Sequence, residues 1–120
     1  MVTPAQAREI AAALPGVEDG SDDVRLGFGI DGKGLAWTFM QRDTPRQKRW
    51  PNLDVLAISC PLDRKELLIE AAPEIYFDDP HYRGYPAVLT RLPAIAAEEL
   101  AERLEAAIAF QISRPKKRKP

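Results

Sequence analysis

An alternating pattern of apolar residues on both sides of an Asp-Gly pair constrains the fold of this chain more than any other feature. The apolar residues of the pattern are Val24, Leu26, Phe28 and Ile30 before the pair, and Leu35, Trp37 and Phe39 after it. Asp31 and Gly32 form a favoured two-residue hairpin turn, because both positions tolerate a positive φ. Alternation with a period of two indicates a half-buried strand. The sequence therefore predicts a β-hairpin over residues 24–39.

The turn also sets the register of the predicted hairpin. The expected cross-strand pairs are Phe28 with Leu35, Leu26 with Trp37, and Val24 with Phe39. These six side chains would lie on one face of the sheet, towards the core. The other face would be open to solvent or to a partner. It would carry the small or polar residues Arg25, Gly27, Gly29, Ala36 and Thr38.

Helical and strand patterns flank the hairpin in the sequence. The predicted helices span residues 3–14, 63–72 and 96–112, and the predicted strands outside the hairpin span 53–60, 75–77 and 87–92. Asp63 is expected to cap the second helix, and its expected core face consists of Leu67, Leu68 and Ala71. Because the hairpin does not alternate regularly with helices, this order predicts an α+β fold. A single antiparallel sheet with helices packed on one face is the expected architecture.

The composition fits one globular domain. The chain has 120 residues, of which 45% are hydrophobic and 29% charged, as is typical of globular proteins. We expect a single domain over residues 1–113 and a basic, disordered tail over 114–120. One cysteine excludes an intrachain disulfide and a zinc site built on paired cysteines. We predict no metal site and no cofactor.

The location expected from the sequence is the cytoplasm. No stretch approaches the roughly 20 apolar residues that a membrane-spanning helix needs. The first residues lack the continuous apolar core of a secretory signal peptide, and a lone thiol is typical of a reducing compartment. No membrane partner is predicted.

No catalytic residues can be assigned, and we expect a protein that is not an enzyme. Gly27, Gly29 and Gly32 spell the dinucleotide-binding pattern G-x-G-x-x-G, but here the pattern ends in a hairpin turn instead of opening a helix. His81 has no evident nucleophile partner for acid–base chemistry. Cys60 ends an apolar strand, so it is expected to be buried rather than reactive.

Two basic segments lead to the first functional hypothesis, a module that binds DNA. The polar loop before the third strand carries Arg42, Arg46, Lys48 and Arg49 and runs into Trp50, and the tail carries Lys116, Lys117, Arg118 and Lys119 after Arg114. Cationic side chains beside an aromatic ring can contact phosphates and stack on a base. Without the five basic residues of the tail, twelve basic and eighteen acidic residues remain, a net charge of −6. Contact with DNA would therefore be local.

The alternative hypothesis is a module that binds a small ligand or a protein partner. His81, Tyr82 and Tyr85 could line an aromatic pocket. A cleft at these residues with convergent polar groups would favour this interpretation. The two basic segments would then be solvated surface. The sequence leaves the oligomeric state open.

The chain resembles the MmcQ/YjbR family of small bacterial proteins through an ordered set of short motifs. In chain order the motifs are Leu14-Pro15-Gly16-Val17-Glu18, Phe28 before Gly32-Lys33, Ala36, Ala72-Pro73, His81-Tyr82-Arg83-Gly84-Tyr85, Ala87-Val88-Leu89 with Leu92, and Glu99-Leu100. The resemblance implies an α+β fold similar to that of CyaY, the bacterial frataxin homologue. It also implies a proposed DNA-binding role, and it carries no catalytic motif. The iron binding of frataxins is not implied, because the first helix holds Glu9 as its sole acidic residue.

Overall fold

Six strands form a single antiparallel sheet in the computed structural model, which describes residues 1–114. The strands are β1 (Glu18–Asp19), β2 (Gly27–Ile30), β3 (Lys33–Gln41), β4 (Trp50–Ser59), β5 (Tyr76–Phe77) and β6 (Ala87–Arg91). Their order across the sheet is β1-β2-β3-β4-β6-β5, and every neighbouring pair is antiparallel. The two shortest strands therefore form the edges, and the long strands β3 and β4 form the centre.

Three helices accompany the sheet. They are α1 (Pro4–Ala12), α2 (Leu62–Ala71) and α3 (Ala97–Ser113), and short 3₁₀ turns lie at Pro80–Tyr82 and Leu92–Ala94. The predicted cap of α1 forms: the Thr3 hydroxyl accepts a hydrogen bond from the backbone N–H of Gln6, whose side chain accepts one from the backbone N–H of Thr3. None of the helices within residues 1–114 combines the length and apolar character needed to cross a bilayer.

The main core lies between the three helices and one face of the sheet. Its buried residues include Ala7 and Ala11 of α1, Leu100 and Leu104 of α3, and Phe28, Leu35, Leu56 and Ile58 of the strands. The second helix adds Leu68 and Ile69, which are partly buried. This arrangement confirms the α+β fold, with one antiparallel sheet and its helices on one face.

The second helix differs from its prediction in its cap and in its inner face. It starts one residue before Asp63, so Asp63 lies in the first turn, and no side chain caps the helix. Leu67 and Ala71, predicted to face the core, are exposed. The inner face instead consists of Lys65, Leu68 and Ile69. These residues follow the spacing of three and four that places side chains on one side of a helix.

The central hairpin forms about the predicted turn. Asp31 and Gly32 have φ values of 51° and 75°, as the turn type requires. β2 pairs with β3, but the register shifts by one residue between Phe28 and Gly29. Gly29 pairs with Gly34, and Phe28 pairs with Ala36, so Leu35 is an extra residue in β3. The hairpin is confirmed, and the predicted cross-strand pairs are wrong.

This β-bulge at Leu35 changes which face the following residues occupy. Side chains alternate between faces, so one inserted residue moves all later side chains to the opposite face. Leu35 and Ala36 both belong to the main core, whereas Trp37 and Phe39 belong to a cluster on the other face. Val24 lies before β2 and is exposed.

The outer face of the sheet carries this second apolar cluster in place of the predicted open surface. Its buried residues are Phe39, Val55, Ala57 and Leu89, and Trp37, Phe77 and Tyr82 pack against them. Two residues predicted for an open outer face, Ala36 and Thr38, are buried. The sheet is therefore covered on both sides, by helices on one side and by aromatic side chains on the other.

A pair of leucine-to-alanine variants tests this assignment of the core. Leu35→Ala removes a side chain with no exposed surface and is expected to lower the free energy of unfolding by about 2–5 kcal/mol. Leu67→Ala is the matched control, because Leu67 is 58% exposed, and its effect is expected to stay within about 0.5 kcal/mol. Urea denaturation followed by circular dichroism measures both. Equal effects would contradict the assignment.

Candidate functional site

An aromatic segment lies over the outer face of the sheet. Tyr82 sits at its centre: its hydroxyl accepts a hydrogen bond of 2.8 Å from the indole N–H of Trp37. The Tyr82 ring meets the ring of Phe39 edge to face, with 5.7 Å between centroids. Burial raises the pKa of Tyr82, so the phenol is neutral at physiological pH. Tyr82 is therefore a packing residue of the outer cluster.

A buried lysine holds this aromatic segment in place. Lys65 of α2 is 3% exposed, and its ammonium donates to the backbone carbonyls of Tyr82 at 2.7 Å and of Tyr85 at 3.1 Å. It also forms an ion pair of 2.9 Å with Asp78. One ammonium thus binds three points of residues 78–85. The buried charge is tolerated because all three of its N–H donors have partners.

His81, Tyr82 and Tyr85, the residues predicted to line a pocket, come together beside Trp37. They line a shallow depression of about 290 Å³. Tyr82 meets the His81 ring at 5.7 Å and the Tyr85 ring at 5.8 Å, both edge to face. The backbone N–H of His81 donates to the Asp79 carboxylate, and its ring is exposed. Trp37 is the member of this group that the sequence analysis assigned to the core.

A larger cleft adjoins this depression and shares Trp37 and Tyr85 with it. Its volume is about 650 Å³. It lies where the hairpin turn, the end of β4, the segment before β6 and the end of α3 meet. The residues that line it are Asp31, Gly32, Lys33, Gly34, Trp37, Ser59, Tyr85, Pro86, Gln111 and Arg114. We call it the Trp37 cleft.

Hydrogen bonds between distant parts of the chain build the polar floor of the Trp37 cleft. Gln111 is 6% exposed, and its amide N–H₂ donates to the Gly34 carbonyl at 2.9 Å and to the Ser59 hydroxyl at 3.0 Å. The Ser59 hydroxyl in turn donates to the same Gly34 carbonyl at 2.8 Å. These bonds fix the end of α3 against β3 and β4, so the floor is rigid before any ligand binds.

Two cations lie in the Trp37 cleft. The Lys33 ammonium donates to the backbone carbonyls of Gln111 at 2.6 Å and of Arg114 at 2.5 Å. Both carbonyls lie at the C-terminal end of α3, where a cation is favourable. An ammonium has three N–H donors, so one is available to a ligand. The Arg114 guanidinium lies 5.1 Å from the centre of the Phe110 ring. Asp31 contributes one carboxylate to the lining.

Aromatic rings form one wall of the Trp37 cleft. Trp37 and Tyr85 meet edge to face, with 6.3 Å between centroids, and Tyr85 is 49% exposed. Gly34 allows the indole to lie close to the backbone, because a Cβ at this position would be 3.3 Å from the Trp37 ring. An exposed ring face beside two cations suits a ligand that is both aromatic and anionic.

Cys60 is buried, as predicted. Burial raises the pKa of the Cys60 thiol to about 11, so the thiol is protonated at neutral pH, as its predicted burial implies. Across residues 1–114, His, Cys, Asp and Glu side chains nowhere form a group of three or more that could hold a metal ion.

The basic loop lies at the far end of β3 from the Trp37 cleft. Arg42, Arg46 and Lys48 are exposed, and within residues 1–114 they have neither a hydrogen bond nor an ion pair. Arg49 differs, because its guanidinium donates to the Met40 carbonyl at 3.1 Å. Trp50 is the first residue of β4 and is 38% exposed.

The basic loop and the start of the tail are widely separated. Arg114 accepts its hydrogen bond from Lys33, the first residue of β3, and the loop follows Gln41, the last. A strand of nine residues spans roughly 26 Å. Loop and Arg114 therefore do not form one continuous basic surface. The predicted contacts Lys116, Lys117, Arg118 and Lys119 lie outside the described residues.

Comparisons with known proteins identify relatives in mycobacteria. No family model matches the chain. The sequence is 33% identical over 110 residues to uncharacterized protein Rv2570 of Mycobacterium tuberculosis, which covers 85% of this chain and 82% of the relative. Uncharacterized protein Mb2600 of Mycobacterium bovis matches with the same identity and coverage.

A solved structure shares the fold. Protein DR2400 of Deinococcus radiodurans, whose crystal structure contains the family-model domain DUF419, matches with a TM-score of 0.68 and 21% identity. The match covers 95% of this chain and 81% of that chain. At this identity the likeness concerns the fold alone.

Replacing the buried lysine tests its role in the site. Lys65→Met leaves the Tyr82 and Tyr85 carbonyls without their donor and is expected to lower the free energy of unfolding by about 1–3 kcal/mol. The aromatic segment should loosen, so the fluorescence of Trp37 should shift to longer wavelength when Trp50→Phe removes the second indole. Lys48→Met is the matched control, because Lys48 is exposed. Unchanged stability and emission in Lys65→Met would refute this role.

Proposed function

Because the chain belongs to the same family as the mycobacterial proteins Rv2570 and Mb2600, whose names state no activity, we propose its function from the site itself. We propose that it is a binding module for a small aromatic ligand with an anionic group, and that it performs no catalysis. The proposed binding site is the Trp37 cleft. DUF419 is related to the MmcQ/YjbR family. We propose further that this chain belongs to that wider group and that the protein is located in the cytoplasm.

One observation carries this proposal: two ring faces and two cations converge on one preformed cleft. Trp37 and Tyr85 form the apolar wall, and Lys33 and Arg114 supply positive charge at the end of α3, where the Lys33 ammonium donates to the Gln111 carbonyl. The volume of about 650 Å³ lies in the usual range for small-molecule sites, roughly 300–1,000 Å³. Such sites combine an apolar lining with a few fixed polar groups that orient the ligand.

The charge balance at the cleft favours an anion. Lys33 uses two of its three N–H donors within residues 1–114, and the Arg114 guanidinium can bind a carboxylate or a phosphate through two parallel hydrogen bonds. Among the described lining residues, two cations and the Asp31 carboxylate give a net charge of +1, which favours a single anionic group on the ligand. The ring of the ligand would stack on Tyr85, whose face is open.

Isothermal titration calorimetry with 1-naphthoate, an aromatic monoanion, tests the proposal. Tyr85→Ala is expected to weaken binding about tenfold, because aromatic stacking contributes about 1–3 kcal/mol. Arg114→Gln is expected to weaken it about three- to tenfold through the loss of the charged contact. Arg42→Gln removes the same charge at the other end of β3 and should leave the affinity unchanged.

Two further ligands separate the contributions of ring and charge. Cyclohexanecarboxylate keeps the charge without the aromatic ring, and 1-naphthalenemethanol keeps the ring without the charge. Both should bind more weakly than 1-naphthoate. The proposal fails if 1-naphthoate does not bind, or if it binds equally well to Tyr85→Ala and Arg114→Gln.

A second candidate function is DNA binding at the basic loop, which one specific observation favours. Arg42, Arg46 and Lys48 are exposed and have no side-chain partner among residues 1–114, and the half-exposed Trp50 ring follows them in the chain. Free cations beside an accessible ring suit phosphate contacts and base stacking. The resemblance to the MmcQ/YjbR family implies the same role, and the basic residues 116–119 would add contacts.

Fluorescence anisotropy with labelled duplex and single-stranded DNA tests this second candidate. Binding is expected at low salt and should weaken steeply as salt is raised. The triple variant Arg42→Gln, Arg46→Gln, Lys48→Gln should reduce the slope of log affinity against log salt by about 3 on duplex DNA. Arg114→Gln serves as the control. Absence of binding at low salt, or an unchanged slope in the triple variant, would reject DNA binding at the loop.

A further inference from the structure

A separate groove lies on the helical side of the sheet, between α2 and α3. Its volume is about 340 Å³. Ile58 of β4 and Val88 of β6 form its floor, and Leu68 of α2 and Phe110 of α3 add apolar walls. Cys60, at the end of β4, also lines it. We call it the Arg103 groove.

Two arginines from different helices line the Arg103 groove. Arg64 belongs to α2 and Arg103 to α3, and among residues 1–114 no carboxylate lines the groove. Within residues 1–114 the ion pairs are Arg8 with Asp19 and Lys65 with Asp78, so neither groove arginine has an anionic partner. The groove therefore combines an apolar floor with two positive charges.

The Arg103 side chain lacks a hydrogen bond that its position requires. Its Nε atom is buried and finds no hydrogen-bond partner in the part of the chain that the structure describes. An unsatisfied buried donor is unfavourable, and more so when it belongs to a charged group. A ligand oxygen would supply the missing acceptor. The Lys65 ammonium does not compete for such a ligand, because its three donors are occupied by Asp78, Tyr82 and Tyr85.

We propose that the Arg103 groove binds an unbranched aliphatic monocarboxylate. The carboxylate would accept hydrogen bonds from Arg103 and Arg64, since a guanidinium matches the two oxygens of a carboxylate. The aliphatic chain would lie along Ile58, Val88 and Phe110. The volume of about 340 Å³ lies at the lower end of small-molecule sites, which suits one narrow chain rather than a peptide.

This site is distinct from the Trp37 cleft. The two share Ser59 in their linings, but the hydroxyl of Ser59 is bonded to Gly34 and Gln111 in the cleft floor. The charges that define the groove, Arg64 and Arg103, are absent from the lining of the cleft. The Trp37 cleft and the Arg103 groove can therefore bind their ligands independently of each other.

Isothermal titration calorimetry with sodium decanoate tests the proposal on the full chain. Arg103→Gln and Arg64→Gln are each expected to weaken binding about tenfold, the effect of losing one charged hydrogen bond. Arg64 is exposed, so its variant keeps the test valid even where Arg103→Gln lowers stability. Arg46→Gln removes a matched charge from the basic loop and should not change the affinity.

Two further measurements locate the ligand in the groove. Ala109 lines the groove and is exposed, so Ala109→Leu narrows the groove without disturbing the core and should weaken decanoate binding. Decanol, which keeps the chain but lacks the charge, should bind more weakly than decanoate. In nuclear magnetic resonance spectra, decanoate should shift the backbone signals of Cys60 and Val88.

Three results would overturn the proposal. They are a decanoate affinity unchanged by Arg64→Gln and Arg103→Gln, equal binding of decanol and decanoate, or signal shifts at the Trp37 indole in place of the groove. The last result would place decanoate in the Trp37 cleft, and Tyr85→Ala would then weaken decanoate binding. A retained response to 1-naphthoate in Arg103→Gln shows that the cleft functions independently.

Discussion

One extra residue in the central hairpin determines how both faces of this sheet are built. The bulge at Leu35 leaves Leu35 and Ala36 in the main core and turns Trp37 and Phe39 to the other side. Without it, strict alternation would place Trp37 under the helices. The bulge is thus the reason that a single sheet has an apolar cluster on each face. It also places an indole at the surface, where the Trp37 cleft forms.

Aromatic side chains shield the outer cluster from solvent, and Lys65 of α2, on the helical side of the sheet, holds the segment that carries Tyr82. Tyr82 and Phe77 pack over the cluster, and the Lys65 ammonium binds two backbone carbonyls of the 78–85 segment. Because Lys65 belongs to α2, the helical layer and the aromatic layer are mechanically connected at this point. The arrangement makes the position of Tyr85, and so the wall of the cleft, depend on α2.

The parts of the fold that follow from local chemistry could be predicted from the sequence, and those that depend on distant contacts could not. The Asp31-Gly32 turn and the Thr3 cap are encoded within four residues, and both are found. The bulge leaves no local signal in the sequence, because Leu35 faces the core in the predicted register as well as in the observed one. The position of β3 also depends on its pairing with β4, which is a distant contact. Lys65 lies three positions before Leu68 on the same side of α2. Helical spacing alone, with the charge of Lys65 ignored, would therefore have predicted that its side chain faces the core.

The candidate site divides in the same way. His81, Tyr82 and Tyr85 lie within five positions of each other, and their proximity could be predicted. Trp37, the partner of Tyr82, is brought in by strand pairing, and Gln111 of the cleft floor is brought in by the docking of α3. No pattern in a single sequence identifies such partners. Arg64 and Arg103 are also far apart in the chain, and only the packing of α2 and α3 over β4 and β6 places them at one groove.

The floor of the Trp37 cleft has a consequence for the order of assembly. Its hydrogen bonds join positions that are 77 and 78 residues apart in the chain. During synthesis on the ribosome, the hairpin can close as soon as both of its strands have emerged, whereas the floor must wait for Gln111. Contacts of such long sequence separation form slowly, because a long loop must close first. The nascent chain therefore acquires its sheet early and the floor of the Trp37 cleft last.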